Sequence, residues 1–288
     1  MPLNSEHVGQ SSAPIAVHVD RRWTMAFAAG LGDTDPVYLD STRDDGLQVH
    51  PMFPVCVDWQ SMTGGVPGLA ELAPDEASRG VHVGHDLELH RRPPTDAEVT
   101  TWATLEGVER RKPGAYAVIR HEATGPSGEA LWTSRMGVLL LGVEVDGHDR
   151  AARVDPGASD GMSPSEVEPT EIARIRIAPG AAHVYSECAR IWNPIHTDTS
   201  AARDAGIDAP ILHGTATLGL AVSRVVVAEA GGDATRVRRI AARFGAPVLA
   251  GDLLSVRITE RRYSMIGFDV VNEEGTTVIS SGLVDLRS

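Results

Sequence analysis

Two stretches decide how this chain is read: Gly32-Asp33-Thr34-Asp35-Pro36-Val37-Tyr38-Leu39-Asp40, and, past the middle, Arg190-Ile191-Trp192-Asn193-Pro194-Ile195-His196-Thr197-Asp198. Pro36 answers Pro194, Val37 answers Ile195 and Asp40 answers Asp198 at one constant offset. The correspondence continues downstream in the same order. Gly46-Leu47 matches Gly206-Ile207, Pro51-Met52-Phe53 matches Pro210-Ile211-Leu212, and Thr95-Asp96 matches Gly251-Asp252. One short match would be chance; ordered matches along both halves indicate a duplicated unit.

Each copy then follows one plan. A polar loop with Pro and Asp precedes a stretch that is apolar nearly all round, and a run of alternating segments comes after it. In the second half the apolar stretch is 215–229, where Thr217, Leu218, Leu220, Ala221, Val222, Val225 and Val226 leave little polar surface. A helix apolar on most sides is buried on most sides. Alternation predicts strands over 81–90, 99–106, 116–122 and 130–141, and again over 238–244, 253–260, 264–272 and 277–286. Pro126-Ser127-Gly128 and Asn272-Glu273-Glu274-Gly275 supply turns between them. The expectation is an α+β chain in which each half wraps an antiparallel sheet around one buried helix. The halves would span 1–145 and 171–288, joined by a linker at 146–170 rich in Asp, Gly, Ser and Pro. Such a half leaves a sheet edge open, so the two should pair as a pseudo-dimer.

Composition narrows the function classes. A hydrophobic fraction of 42% with 23% charged residues in 288 residues describes a globular protein. The net charge of −13 disfavours nucleic acid as a partner, because phosphate binding needs a basic surface. No apolar run is long enough to span a bilayer, no secretory leader is evident, and Cys56 and Cys188 form no disulfide framework, so a cytoplasmic location is expected. No glycine-rich dinucleotide fingerprint is present. His82, His85 and His90 alternate along a strand without metal-ligand partners, and no metal is expected.

The block Asn193-Pro194-Ile195-His196-Thr197-Asp198, followed by Pro210-Ile211-Leu212-His213-Gly214, resembles the motif of the MaoC-like (R)-specific enoyl-CoA hydratases. The flanking Ala201 to Gly206 and Phe244 to Asp252 are similar too, and the first half looks like the degenerate partner repeat of double-hotdog members. The resemblance implies two tandem hotdog folds and a lyase of fatty acid metabolism that adds or removes water at an acyl thioester. The substrate would be carried by coenzyme A or an acyl carrier protein, with no further cofactor, and a homodimer of such chains is possible.

On that reading His196 is the acid or base, since a histidine titrates near neutrality. Gly214 begins the buried helix, where a backbone N–H at the positive helix end can meet an enolate oxygen. Asp198 is placed to cap a short helix over 199–205. Asn193, His213 and Arg190 are candidate substrate contacts. The family motif carries an aspartate two residues before the asparagine, and here that position is Ile191. The first half is reversed, with Asp33 at the aspartate position and Tyr38 at the histidine position. Three accounts stay open: Glu187 supplies the carboxylate, Asp33 works with His196 across the halves, or the chemistry is altered. The alternatives in function are an acyl-CoA thioesterase and a non-catalytic thioester-binding protein.

Overall fold

The computed structural model describes residues 1–152, 154 and 168–287. Ten strands form one continuous sheet. The first half contributes β1 (Ile15–Val19), β2 (Gly80–Leu89), β3 (Ala97–Arg111), β4 (Gly114–Thr124) and β5 (Ala130–Leu141). The second contributes β6 (Thr170–Arg176), β7 (Val237–Phe244), β8 (Leu253–Arg262), β9 (Met265–Asn272) and β10 (Thr277–Leu286). The spatial order is β1-β3-β4-β5-β2-β7-β10-β9-β8-β6. Read inward from either edge it is the same sequence of strands, so the two halves are related by a pseudo-two-fold through the antiparallel β2–β7 pair.

That pair runs in register from Gly84 opposite Arg243 to Glu88 opposite Arg239. Arg239 holds Asp86 across it with two charge-assisted hydrogen bonds of 2.8 Å. Pairing two edges in this way removes two rows of unpaired backbone groups.

Five helices position the site: α1 (Arg21–Gly30), α2 (Pro54–Thr63), α3 (Ala181–Ala189), α4 (Thr199–Asp204) and α5 (Gly214–Ala230). α2 and α5 are the helices around which the sheet curves, the arrangement expected of two tandem hotdog folds. α5 buries Leu218, Val222 and Val225 completely, each contributing roughly 1.5–3 kcal/mol over exposure. It closes with Gly231 in the left-handed region at φ 65°, a terminator that glycine adopts without strain. α1 and α3, equivalent by the pseudo-two-fold, cross so closely that a Cβ at Gly30 would lie 2.7 Å from the Cβ of Cys188. One large apolar core runs from Trp23 and Phe27 in the first half to Ile279 and Leu286 in the second.

The pairs α2 and α5 are unequal: ten residues against seventeen. Alternation located the eight central strands, while the edge strands β1 and β6 and the helices α1 and α3 were not expected. The proposed linker is folded at its start. Asp146 pairs beside Asn4, and Arg150 bridges Val108 on β3. Its remainder at 153 and 155–167 lies outside the described residues. No helix among the described residues is long and apolar enough to cross a membrane.

Candidate active site

The loop that carries the repeated motif is built by local hydrogen bonds. The Asn193 side chain accepts from the Ile195 N–H at 3.4 Å, and Pro194 starts a single tight turn that ends at His196. Asp198 then accepts from the Ser200 N–H at 2.7 Å and caps α4. The His196 ring is thereby held against the strand of chain that leads into α5. Its Nδ1–H donates to the Ile211 carbonyl at 2.8 Å. A carbonyl can only accept, so the proton of the neutral ring is on Nδ1 and Nε2 keeps a lone pair.

His213 stacks on His196, with ring centroids 3.6 Å apart and planes 24° from parallel. Its Nε2–H is shared between the Ile191 carbonyl and the Ser186 hydroxyl, each at 3.3 Å. Burial pushes the His196 pKa down to about 4, against the raising influence of the Ile211 hydrogen bond. His213 is pushed down further, first by burial and then by the neighbouring His196 ring. Both rings are neutral at neutral pH.

These groups stand at one end of a cavity of about 750 Å³. Ile191, Asn193, His196, His213, Gly214 and Phe244 line it from the second half. The facing wall comes from the first half: Val55, Trp59 and Met62 along one side of α2, then Val66 and Leu69 beyond it, and His82 on β2. The shortness of α2 leaves this space open. On the opposite side of the pseudo-two-fold, Leu47 and Leu89 bound a cavity of only about 140 Å³. There the longer α5 brings Ser223 to within 2.9 Å of His50, and Trp23, Phe27 and Phe53 pack edge-on. His196 also borders a smaller outer cavity of about 280 Å³ with Pro179, His183, Pro210 and Leu249. It therefore borders both cavities, the larger termed inner and the smaller outer.

The start of α5 is electrophilic. His213 precedes it without a side-chain cap, and Gly214 is its first residue. The first N–H groups of a helix have no intrahelical acceptor and sit at the positive end of its dipole. Gly214 lies against the Phe244 ring, which a Cβ there would approach to 3.2 Å.

The structure brings together His196, His213, Asn193 and Gly214 and leaves two expected residues apart. Glu187 is exposed on α3 and does not line the cavity, so it does not replace the motif carboxylate. It lies two residues past Tyr185, which points inward to the Thr215 hydroxyl, and helical spacing turns it the other way. Arg190 ends α3 with φ 57°, its guanidinium 4.1 Å over the Trp23 ring and 3.8 Å from Asp20, outside the cavity. Asp33 is not paired with His196. It lies 3.9 Å from Nε2 of His50 within its own half. No Asp or Glu is among the described residues lining the cavity. The wall formed by α2 lies in the first half, where the motif of the second half gives no sign of it. The i, i+4, i+7 spacing of Val55, Trp59 and Met62 was the available signal.

Two family profiles match the chain: the MaoC-like domain over residues 164–282, and the dehydratase domain region of the FAS1-like family over residues 6–133. The chain is 28% identical to a peroxisomal enoyl-CoA hydratase 2 of Arabidopsis thaliana, over 93% of its own length and 90% of that protein's. It is 25% identical to 3-hydroxyacyl-thioester dehydratase Y of Mycobacterium tuberculosis, over 99% of both. The crystal structure of a MaoC-like dehydratase from Phytophthora capsici superposes with a TM-score of 0.83 at 19% identity, covering 98% of each chain.

Proposed function

Since this chain belongs to the MaoC-like dehydratase family, in its double-hotdog form, we propose that it interconverts 2-enoyl and 3-hydroxyacyl thioesters by adding or removing water. The single observation that carries this reading is the His196 ring, its Nε2 without a partner among the described residues, bordering both cavities beside the uncapped start of α5. The acyl chain lies in the inner cavity and the pantetheine arm in the outer one, with the thioester carbonyl at Gly214.

In the hydration direction a water donates its proton to Nε2 of His196 as its oxygen bonds to the β-carbon. The displaced π electrons move to the thioester oxygen, where the Gly214 N–H meets the enolate charge. The imidazolium then returns its proton to the α-carbon, the carbonyl re-forms, and the ring ends neutral as it began. Because Ile191 leaves no carboxylate among the described residues of the wall, one base handles both proton transfers, and water adds to one face of the double bond. Dehydration is the reverse.

His196→Ala should lower turnover of trans-2-enoyl-CoA by about 10²–10⁴-fold, followed as loss of the conjugated thioester's ultraviolet absorbance. Unchanged activity in that variant would remove His196 from the reaction. A second reading, binding without turnover, is favoured by Ile191. It would be upheld by acyl-CoA binding with no turnover at any chain length. Thioester hydrolysis is disfavoured by the absence of an acidic side chain among the described residues of the wall; Asp58, the carboxylate on α2, faces Trp132 and Ser134 instead.

A further inference from the structure

The inner cavity is mostly apolar, yet one histidine of the first half stands in its wall and plays no part in the reaction. His82, on β2, donates its Nε2–H to the Gly84 carbonyl at 2.9 Å. The acceptor can only be a lone pair, so the neutral ring carries its proton there, and Nδ1 is left as a hydrogen-bond acceptor. A register shift between His82 and Gly84 makes this local bond possible. Among the described residues nothing donates to Nδ1, and this atom is not among the buried polar atoms sealed from solvent. Its ring packs edge-on against Phe244 with centroids 4.7 Å apart, and Phe244 in turn lies against Gly214. His82 is thus one aromatic ring beyond the thioester position, along the path of the acyl chain.

Behind His82 lie two more buried imidazoles. His85 is 5.4 Å away between ring centroids, with neither nitrogen partnered among the described residues. His121 bonds the Ser61 hydroxyl through Nδ1 at 2.8 Å, and its Nε2 has no partner among the described residues. Burial, and the charge that each would place beside the next, hold all three below the ordinary histidine range. His82 therefore remains an acceptor across the working pH range.

We infer that His82 is a specificity-determining residue whose Nδ1 accepts a hydrogen bond from a hydroxyl group carried on the acyl chain, so that the cavity prefers hydroxylated acyl thioesters to plain ones of equal length. This rests on the acyl chain occupying the inner cavity, as proposed above. A wholly apolar wall would discriminate only by length and shape. An unpaired acceptor along the path of the acyl chain penalises a plain chain, which shuts solvent away from that nitrogen and offers no donor in return.

The test uses binding, so that it does not depend on turnover. A series of saturated acyl-CoA thioesters of one length, each with a single hydroxyl moved one carbon at a time beyond the third, is titrated by calorimetry against the wild type. The unsubstituted thioester serves as reference. One hydroxyl position should bind about tenfold more tightly than its neighbours. In His82→Phe, which keeps a ring against Phe244, that preference should vanish while the plain thioester binds as well or better. Equal affinity for every position and for the plain chain would overturn the inference and leave the acyl-thioester reading intact. So would a preference that survives in His82→Phe. Failure of every acyl-CoA to bind the wild type would overturn both. The comparison within the wild type needs no variant and stands even if His82→Phe does not fold.

Discussion

Ile191 sets the character of the site. It occupies the cavity wall five positions before His196, and its backbone carbonyl accepts from His213. A carboxylate there would favour the protonated imidazole and raise its pKa; an alkyl chain leaves burial opposed by the Ile211 hydrogen bond alone and the His196 pKa at about 4. The base is weak, and its conjugate acid is correspondingly strong. Activity limited by neutral His196 should be flat from neutrality down to about one unit above that value, and fall as pH drops through about 4. Ile191→Asp places a carboxylate at the motif position. It should raise kcat by about tenfold or more and move the acidic limb of the pH profile upward, since an adjacent negative charge holds the proton on the ring. A profile and kcat unchanged in that variant would mean that the carboxylate and His196 do not communicate.

Among the elements, the crossing of α1 and α3 is the most exacting contact. Gly30 and Cys188 meet where any side chain on Gly30 would overlap Cβ and Sγ of the cysteine, at 2.7 and 3.1 Å. Since Cβ atoms are fixed to the backbone, the helices would have to separate. α3 holds Tyr185 and Ser186 against Thr215 and His213, so the displacement reaches the site. Gly30→Ala should cost about 1–3 kcal/mol in chemical denaturation and lower activity in the fraction that stays folded. A stability equal to wild type would show that the crossing adjusts freely. The unequal lengths of α2 and α5 belong to the same scale. The short helix leaves a cavity over the second-half motif, and the long one fills the equivalent space over the first-half relic of Asp33, Tyr38 and His50.

Across the whole molecule six buried histidines are held neutral. His50 and His196 have pKa values of about 4, His82, His85 and His121 of about 3, and His213 is lowered as well, each chiefly by burial. In the unfolded chain these groups titrate near 6.5. Between roughly pH 4 and 6.5 the unfolded state binds more protons, so stability rises with pH across that window and is lost as pH falls. Asp58 works the other way. Buried against Trp132 and Ser134, its pKa rises to about 7, chiefly by desolvation, so the folded state holds the extra proton and stability declines as pH climbs from 3.8 toward that value. Several histidines outweigh one carboxyl. The thermal midpoint should therefore climb between about pH 4.5 and 6.5; a flat or falling midpoint would contradict the neutral, buried state of these rings.

Much of the site was written in the chain because its parts are local. A proline turn, an asparagine and aspartate that cap their own loops, an alternating strand and a glycine at a helix start each act over a few residues, and their spacing is visible in order. The paired halves followed from the repeat. What packing alone decided is which distant groups meet. The stacking of His213 on His196 depends on two loops held by different elements, Glu187 turns outward by its phase on α3, and Asp33 lies beside His50 of its own half instead of His196. The cavity itself comes from a difference in helix length between two copies. Open volume is a property of what surrounds a space, and no single stretch of sequence contains its own surroundings.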